Sequence, residues 1–193
     1  MSLSPTKLEI LETMLLLDKP ERAMSIAKEV GKEFPSVMMH IIGLTRMGYL
    51  ASPQKGLYNL TEKAKKALGI PEISEENAKK ALADVPQNQS FHFYASIGKP
   101  LSLNAHSLND FRDKFLQVSL ESIKFHESRG DFAAWFEGLG DVELAKKVAL
   151  LREKKMDGEE LRSRLHLMIE NRCIALAKIA EHSVLAESAN SVA

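Results

Sequence analysis

The chain has 193 residues and 45% of them are apolar, which is enough to bury the core of one large domain or two small ones. Its single cysteine, Cys173, excludes an intrachain disulfide and a zinc site built from cysteines. No segment has the form of a signal peptide, and no uncharged stretch reaches the roughly 18 apolar residues of a membrane span. We therefore expect a soluble, cytoplasmic protein with no membrane partner.

Charge is distributed unevenly along the chain, although the formal net charge is zero. Residues 1–69 contain ten Lys and Arg against seven Asp and Glu, whereas residues 70–193 contain sixteen against nineteen. A basic N-terminal part favours a nucleic-acid partner for that part. Because the excess is small, we expect one chain to bind phosphates with modest affinity, and a dimer would double the available charge.

A helix is predicted near the N-terminus. Ser4 as N-cap and Pro5 at the first helical position start it, and apolar residues at helical spacing continue it over about 5–17. Pro20 ends this helix, and the segment 22–24 fits a short strand.

Two further helices follow, joined by a short turn. Ser25 is predicted to cap the first of them, which stops at Gly31, and either Ser36 or the preceding turn is predicted to cap the second. The second helix has one continuous apolar stripe and ends at Gly48; the stripe consists of Val37, Ile41, Leu44 and Met47.

A β-hairpin and a fourth helix complete this region. Segments 49–52 and 57–60 are predicted strands, and 53–56 between them is a turn with proline and glycine at its ends. Thr61 then caps a lysine-rich helix over about 62–68.

This order of elements resembles the winged helix-turn-helix proteins of MarR/ArsR type, which are common among archaeal transcription regulators. The matching residues are the apolar stripe, the run Arg46-Met47-Gly48-Tyr49-Leu50, and the run from Gly56 to Ala64, in which Lys63-Ala64 replaces the usual glycine. The resemblance covers about residues 4–69. It implies a winged-helix domain with a two- or three-stranded β-wing that binds double-stranded DNA.

Eight residues are the predicted DNA contacts under this interpretation. The outward side of the helix at about 35–47 would enter the major groove, and the 53–56 wing would contact the backbone or minor groove. The preceding helix would contact phosphates. The residues are Ser25, Lys28, Ser36, Met39, His40, Arg46, Gln54 and Lys55.

The rest of the chain is predicted to be helical. Residues 70–90 form a connector with one short helix, and residues 91–193 form a domain that ends in a long helix over about 158–185. The segment 91–94 fits either a strand or an extended lead-in. Gly130 ends one helix and Asp131 is predicted to cap the next. The expected fold class is mainly α: a winged helix followed by an α-helical domain.

The C-terminal part also resembles a known family. Segments 125–135 and 140–145 are similar to an uncharacterised helical domain family of archaeal proteins, and the resemblance covers about residues 91–175. It implies a helical fold and an archaeal source, and it implies no activity.

Four residues of this domain are candidates for a ligand pocket: Phe91, Phe93, His126 and Trp135. The aromatic side chains are explained equally by a hydrophobic core. No His-Glu-x-x-His motif, phosphate-binding glycine loop or nucleophile–base arrangement occurs, so we expect no metal, no cofactor and no enzymatic activity.

Two hypotheses about function remain open. The first is a transcription regulator that binds double-stranded DNA as a homodimer, with a small-molecule or protein effector at the C-terminal domain. The second is an interaction module whose winged helix contacts a protein. Apolar residues of the last helix fit either packing within the domain or a dimer seam; they are Leu161, Leu165, Met168, Ile169, Cys173, Leu176 and Ile179.

Overall fold

The computed structural model describes the backbone of residues 3–190 and the side chains of residues 3–181. The protein is mainly helical, with two small antiparallel sheets and a long C-terminal helix, so the predicted mainly α class is confirmed. Contacts divide the chain into two compact units between Glu72 and Ile73.

The first unit contains four helices and a three-stranded sheet. In chain order they are α1 (Pro5–Leu17), β1 (Glu21–Arg22), α2 (Ala23–Val30), α3 (Phe34–Arg46), β2 (Leu50–Gln54), β3 (Leu57–Leu60) and α4 (Glu62–Ala67). The strand order is β1-β3-β2, and both pairings are antiparallel.

The inward face of α3 organises this unit. Val37, Ile41 and Leu44 are fully buried, and α3 packs against α1, α2 and β2. Thr61 caps α4 by accepting a hydrogen bond from the Ala64 amide, as predicted. Its hydroxyl also lies 2.8 Å from the Gly48 carbonyl oxygen, so the base of the hairpin is tied to the end of α3.

The predicted cap of α2 is wrong, and for α3 the structure has the cap in the preceding turn and not at Ser36. Ser25 lies inside α2, whose N-cap is Arg22, and Ser36 lies inside α3, whose N-cap is Glu33. Pro35 is tolerated one residue after the helix start because the first-turn amides have no intrahelical partner.

The second unit contains six helices and a hairpin within the described residues. They are α5 (Glu75–Leu82), β4 (Phe91–Ser96), β5 (Lys99–Ala105), α6 (Leu108–Phe115), α7 (Leu120–Arg129), α8 (Asp131–Gly138), α9 (Val142–Glu153) and α10 (Gly158–Asn190). A 3-10 turn at Gln87–Gln89 precedes the hairpin.

Two features of this unit differ from the sequence prediction. The domain is not purely helical, because β4 pairs with β5, a strand whose Lys99-Pro100 start gives no local signal. Helix α5 was assigned to a connector, yet it packs along α10 with Ala78 and Ala81 fully buried. The physical reason is that two alanines allow close helix approach without forming an obvious apolar stripe.

Aromatic rings fill the centre of the second unit. Neighbouring ring centroids lie 4.9 to 5.8 Å apart in the group formed by Phe91, Phe93, Phe111, Phe115, Phe132 and Phe136. The apolar stripe of α10 from Leu161 to Leu176 is buried in the same unit. Those residues therefore pack within their own domain and are not available for a dimer seam. Ile179, the last residue of the predicted set, is only half-buried.

Four charged side chains are also buried together. Arg172 Nε lies 2.8 Å from Asp141 Oδ2, and Arg172 Nη1 lies 3.0 Å from Glu143 Oε2. Lys147 Nζ lies 2.9 Å from Glu143 Oε1. Asp141 also caps α9 by accepting a bond from the Leu144 amide. This quartet joins α9 to α10 and is electrically balanced.

Candidate nucleic-acid interface and ligand cavity

The outward side of α3 carries four of the predicted DNA contacts. Ser36, Met39 and Arg46 are exposed, and His40 is half-buried. By the helical period, Met39 and Arg46 lie opposite the buried stripe, whereas Ser36 lies to its side and His40 at its margin. The helix has 13 residues, which corresponds to a length of about 20 Å.

The other four predicted contacts lie on α2 and on the hairpin. Lys28 is exposed on α2, and Gln54 and Lys55 are exposed at the turn of the hairpin. Ser25 is half-buried and lies beside the Glu21 carboxylate, whose pKa is lowered first by Lys19 and also by Ser25. A phosphate at Ser25 would therefore meet a carboxylate.

Lys28, Arg46 and Lys55 share one electrostatic property. None of them forms an ion pair with any residue in the described part of the chain. Other lysines of the unit do, in the pairs Lys19–Glu21, Lys32–Glu9, Lys65–Glu62 and Lys66–Glu72. Among the described residues, Lys7, Arg22 and Lys63 form no ion pair either, so unpaired cations also lie on α1, β1 and α4.

Apolar side chains are also exposed on α2 and α3. Met39 is 76% exposed, Met24 is 61% exposed and Ile42 is 39% exposed. These residues give the surface a mixed character, with isolated cations between thioether and aliphatic groups.

A cavity of about 440 Å³ lies in the second unit between the hairpin and the junction of α7 with α8. The hairpin contributes Phe91, His92, Tyr94, Ile97 and Gly98 to its lining. The helices contribute Phe125, His126, Arg129 and Asp131.

The four predicted pocket residues divide into two groups. Phe91 and His126 line the cavity. Phe93 is fully buried in the aromatic core, and Trp135 lies outside the lining, where its Nε1 donates a hydrogen bond to the Gln89 carbonyl at 2.9 Å. Arg129 and Tyr94 were not predicted, because their position depends on how the hairpin packs on α7.

His126 has both ring nitrogens engaged. Nε2 accepts a hydrogen bond from the Tyr94 amide at 2.8 Å, and Nδ1 lies 2.8 Å from Asp131 Oδ2. The first bond requires a lone pair on Nε2, so the proton is on Nδ1 and the ring is neutral. Burial lowers the pKa of His126, although the bond to Asp131 opposes this shift. The ring therefore holds β4 against α7, and neither of its nitrogens is left to accept a further proton or hydrogen bond.

Asp131 does not cap α8, which corrects the sequence prediction. It is the first residue of that helix and makes no side-chain cap bond. Gly130, with φ +79°, turns the chain sharply between the two helices and brings the carboxylate back onto α7. There Asp131 Oδ2 accepts a second hydrogen bond, from Arg129 Nε at 3.1 Å.

Within residues 3–181, no three His, Cys, Asp or Glu side chains are grouped so that they could hold a metal ion. Among the described helices, none combines enough length with enough apolar character to cross a membrane. Cys173 is buried, and burial raises its pKa to about 11.

Comparison with known proteins gives one match. The model of a family of unknown function, DUF5752, matches residues 58–170, which is more than half of the chain. The chain belongs to this family. The matched region begins in β3 and extends through most of the second unit. Neither the curated proteins nor the solved structures contained a significant match.

Proposed function

We propose that this member of the DUF5752 family is a DNA-binding transcription regulator that contacts duplex DNA through α3 and the β2–β3 hairpin. The observation that carries the proposal is the group of unpaired cations Lys28, Arg46 and Lys55 on α2, α3 and the hairpin. The order of elements and the β1-β3-β2 sheet support it, because a winged helix-turn-helix of MarR/ArsR type has the same order.

The dimensions and side chains of α3 suit a major groove. The groove of B-DNA is about 12 Å wide and admits one α-helix. Ser36, His40 and Arg46 would meet base edges or phosphates with hydroxyl, imidazole and guanidinium groups. Thr61 ties the base of the hairpin to the end of α3, so the hairpin turn would be held beside the same duplex.

The number of cations sets the expected salt dependence. If each of the three contacts one phosphate, the log–log salt slope is about −2.7 for one chain and about −5.4 for a homodimer. Between 50 and 200 mM salt, affinity would then fall roughly 40-fold for one chain and roughly 2,000-fold for a dimer. A dimer would suit a palindromic site with half-sites about one helical turn apart.

Fluorescence polarisation with labelled duplex fragments, over a salt titration, tests the proposal on the full chain. The double variant Arg46→Ala/Lys55→Ala should weaken binding and make the slope less negative by about 1.8 per chain. Lys66→Ala is the matched control, because Lys66 pairs with Glu72 at 3.0 Å and should not contact DNA. Binding that does not depend on salt, or that the double variant leaves unchanged, would refute the proposal.

A second candidate function is contact with a protein partner through the same surface. The large exposure of Met39 favours it, because a side chain 76% exposed in the middle of α3 is a typical interface residue. Met39→Lys separates the two candidates. It adds a cation, so it should strengthen DNA binding and steepen the salt slope if α3 lies on DNA. If the surface contacts protein, neither the wild type nor the variant should bind DNA.

A further inference from the structure

We propose that the cavity of the second unit binds a small organic carboxylate with an apolar body of one or two fused rings. This site is separate from the proposed DNA contacts and its test does not depend on them. Its volume of about 440 Å³ is within the usual range of small-molecule sites, about 300–1,000 Å³.

The walls of the cavity are suited to a flat apolar body. Phe91, Tyr94 and Phe125 present aromatic rings to it. Ile97 also lines it from the turn of the hairpin, yet its side chain is 82% exposed. An aliphatic side chain with this exposure contributes little to the fold, and a ligand in the cavity would cover it.

The Arg129 guanidinium supplies the anion-binding group. Its Nε is held by Asp131 at 3.1 Å, and its central carbon lies 5.1 Å from the centroid of the Phe125 ring. These two contacts fix the orientation of the guanidinium over the aromatic ring. Nη1 and Nη2 make no hydrogen bond to any described residue. This leaves a pre-oriented fork of donors, which matches the two oxygens of a carboxylate.

The remaining polar groups of the cavity favour an anion over a cation. Asp131 Oδ2 already accepts from His126 and Arg129, and the positive charge of Arg129 lies beside it. His126 has no free nitrogen, because Tyr94 and Asp131 occupy both. The Nη1 and Nη2 donors of Arg129 therefore remain available at this site, and a ligand that carries acceptors and a negative charge fits them.

A set of ligands that differ only in charge tests the ligand class. We would titrate the full chain with 1-naphthaleneacetate, its neutral amide and 1-naphthylmethylammonium, using calorimetry and amide chemical shifts. Phenylacetate and benzoate extend the set to one ring. We expect the acids to bind, the amide to bind about tenfold more weakly or worse, and the ammonium compound not to bind. The shifts should be confined to β4, β5, α7 and the start of α8.

Three outcomes would overturn the proposal. They are no binding of any acid in the set, equal binding of the amide or the ammonium compound, and shifts centred on another part of the chain. Binding of the ammonium compound alone would identify Asp131 and the aromatic rings as a cation site.

Variants identify the residues responsible. Arg129→Gln should weaken binding of the acid about tenfold or more and change binding of the amide little. Ile97→Ser should weaken binding of the acid and the amide alike, and it should not affect folding because the side chain is largely exposed. Arg112→Gln, on α6 and outside this cavity, is the matched control. Unchanged acid binding in Arg129→Gln, with the Tyr94 amide signal in its wild-type position, would refute the role of Arg129.

Discussion

The buried quartet of Asp141, Glu143, Lys147 and Arg172 provides the most quantitative prediction about the second unit. Replacing Arg172 with methionine removes the cation that bonds both Asp141 oxygens, at 3.0 and 2.8 Å. Glu143 keeps Lys147 at 2.9 Å, whereas Asp141 keeps the Leu144 amide as a bonding partner and loses its cation. The variant therefore contains a buried carboxylate without charge compensation.

The expected loss in the free energy of unfolding is about 3–5 kcal/mol, the usual cost of removing one partner of a buried pair. Domains are commonly stable by about 5–15 kcal/mol, so the loss is a large fraction of the total. Asp141→Asn removes the charge but keeps a good helix cap. In the double variant Arg172→Met/Asp141→Asn, the two charges that remain, on Glu143 and Lys147, balance each other. The loss in the free energy of unfolding of the double variant should therefore be smaller than the sum of the two single losses, by about 2 kcal/mol.

Urea unfolding followed by tryptophan fluorescence measures this directly. The sequence has one tryptophan, Trp135, which lies in the second unit, so the signal reports on that unit and not on the first. Lys147→Met is the comparison within the quartet. It should lower the free energy of unfolding less than Arg172→Met does, because Glu143 still has its ion pair with Arg172. If the losses of Arg172→Met and Asp141→Asn add to within about 0.5 kcal/mol, the two side chains are not coupled and the argument fails.

Two further predictions concern the cavity and the turn beside it. The pKa of His126 is lowered in the folded protein, so this histidine binds a proton more readily when the chain is unfolded. The free energy of unfolding should therefore be highest above about pH 6.5 and should fall as the pH decreases below that value. The urea midpoint should decrease on acidification more in the wild type than in His126→Gln; an equal decrease would contradict this. Gly130→Ala should destabilise the unit by about 1–2 kcal/mol, because φ at this residue is +79°. Gly138 lies at the end of α8 with open space around its Cα, so Gly138→Ala should be neutral or stabilising by up to about 1 kcal/mol. A Gly130→Ala variant that unfolds at a higher temperature than Gly138→Ala would contradict the role of Gly130 in the turn.

The first unit was largely predictable from its sequence. The stripe of Val37, Ile41 and Leu44 and the cap at Thr61 are local signals, and each has the predicted structural role. The hairpin turn is shorter than predicted, because β2 continues to Gln54. The error lies in the start of α2, which Arg22 and not Ser25 caps. A serine shortly before an apolar run fits an N-cap and a first-turn position equally well.

The second unit was less predictable, and its cavity least of all. Strand β5 begins with Lys99-Pro100, which gives no strand signal, and Asp131 follows a glycine, which resembles a cap position although the side chain makes no cap bond. Both errors have the same origin. Local propensity ranks the conformations of a short segment, but it does not include the neighbours that distant segments bring to it.

The sequence by itself determined the mainly α class, the order of elements in the first unit and the buried side of α3. These follow from helical periodicity and from caps a few residues away. Only the tertiary structure decided that the His126 ring bonds Tyr94, that Arg172 pairs with Asp141 and that Phe93 belongs to the core. The two bonds join residues 32 and 31 positions apart, and their geometry depends on how the hairpin and the helices pack. No periodic pattern within one element specifies that packing.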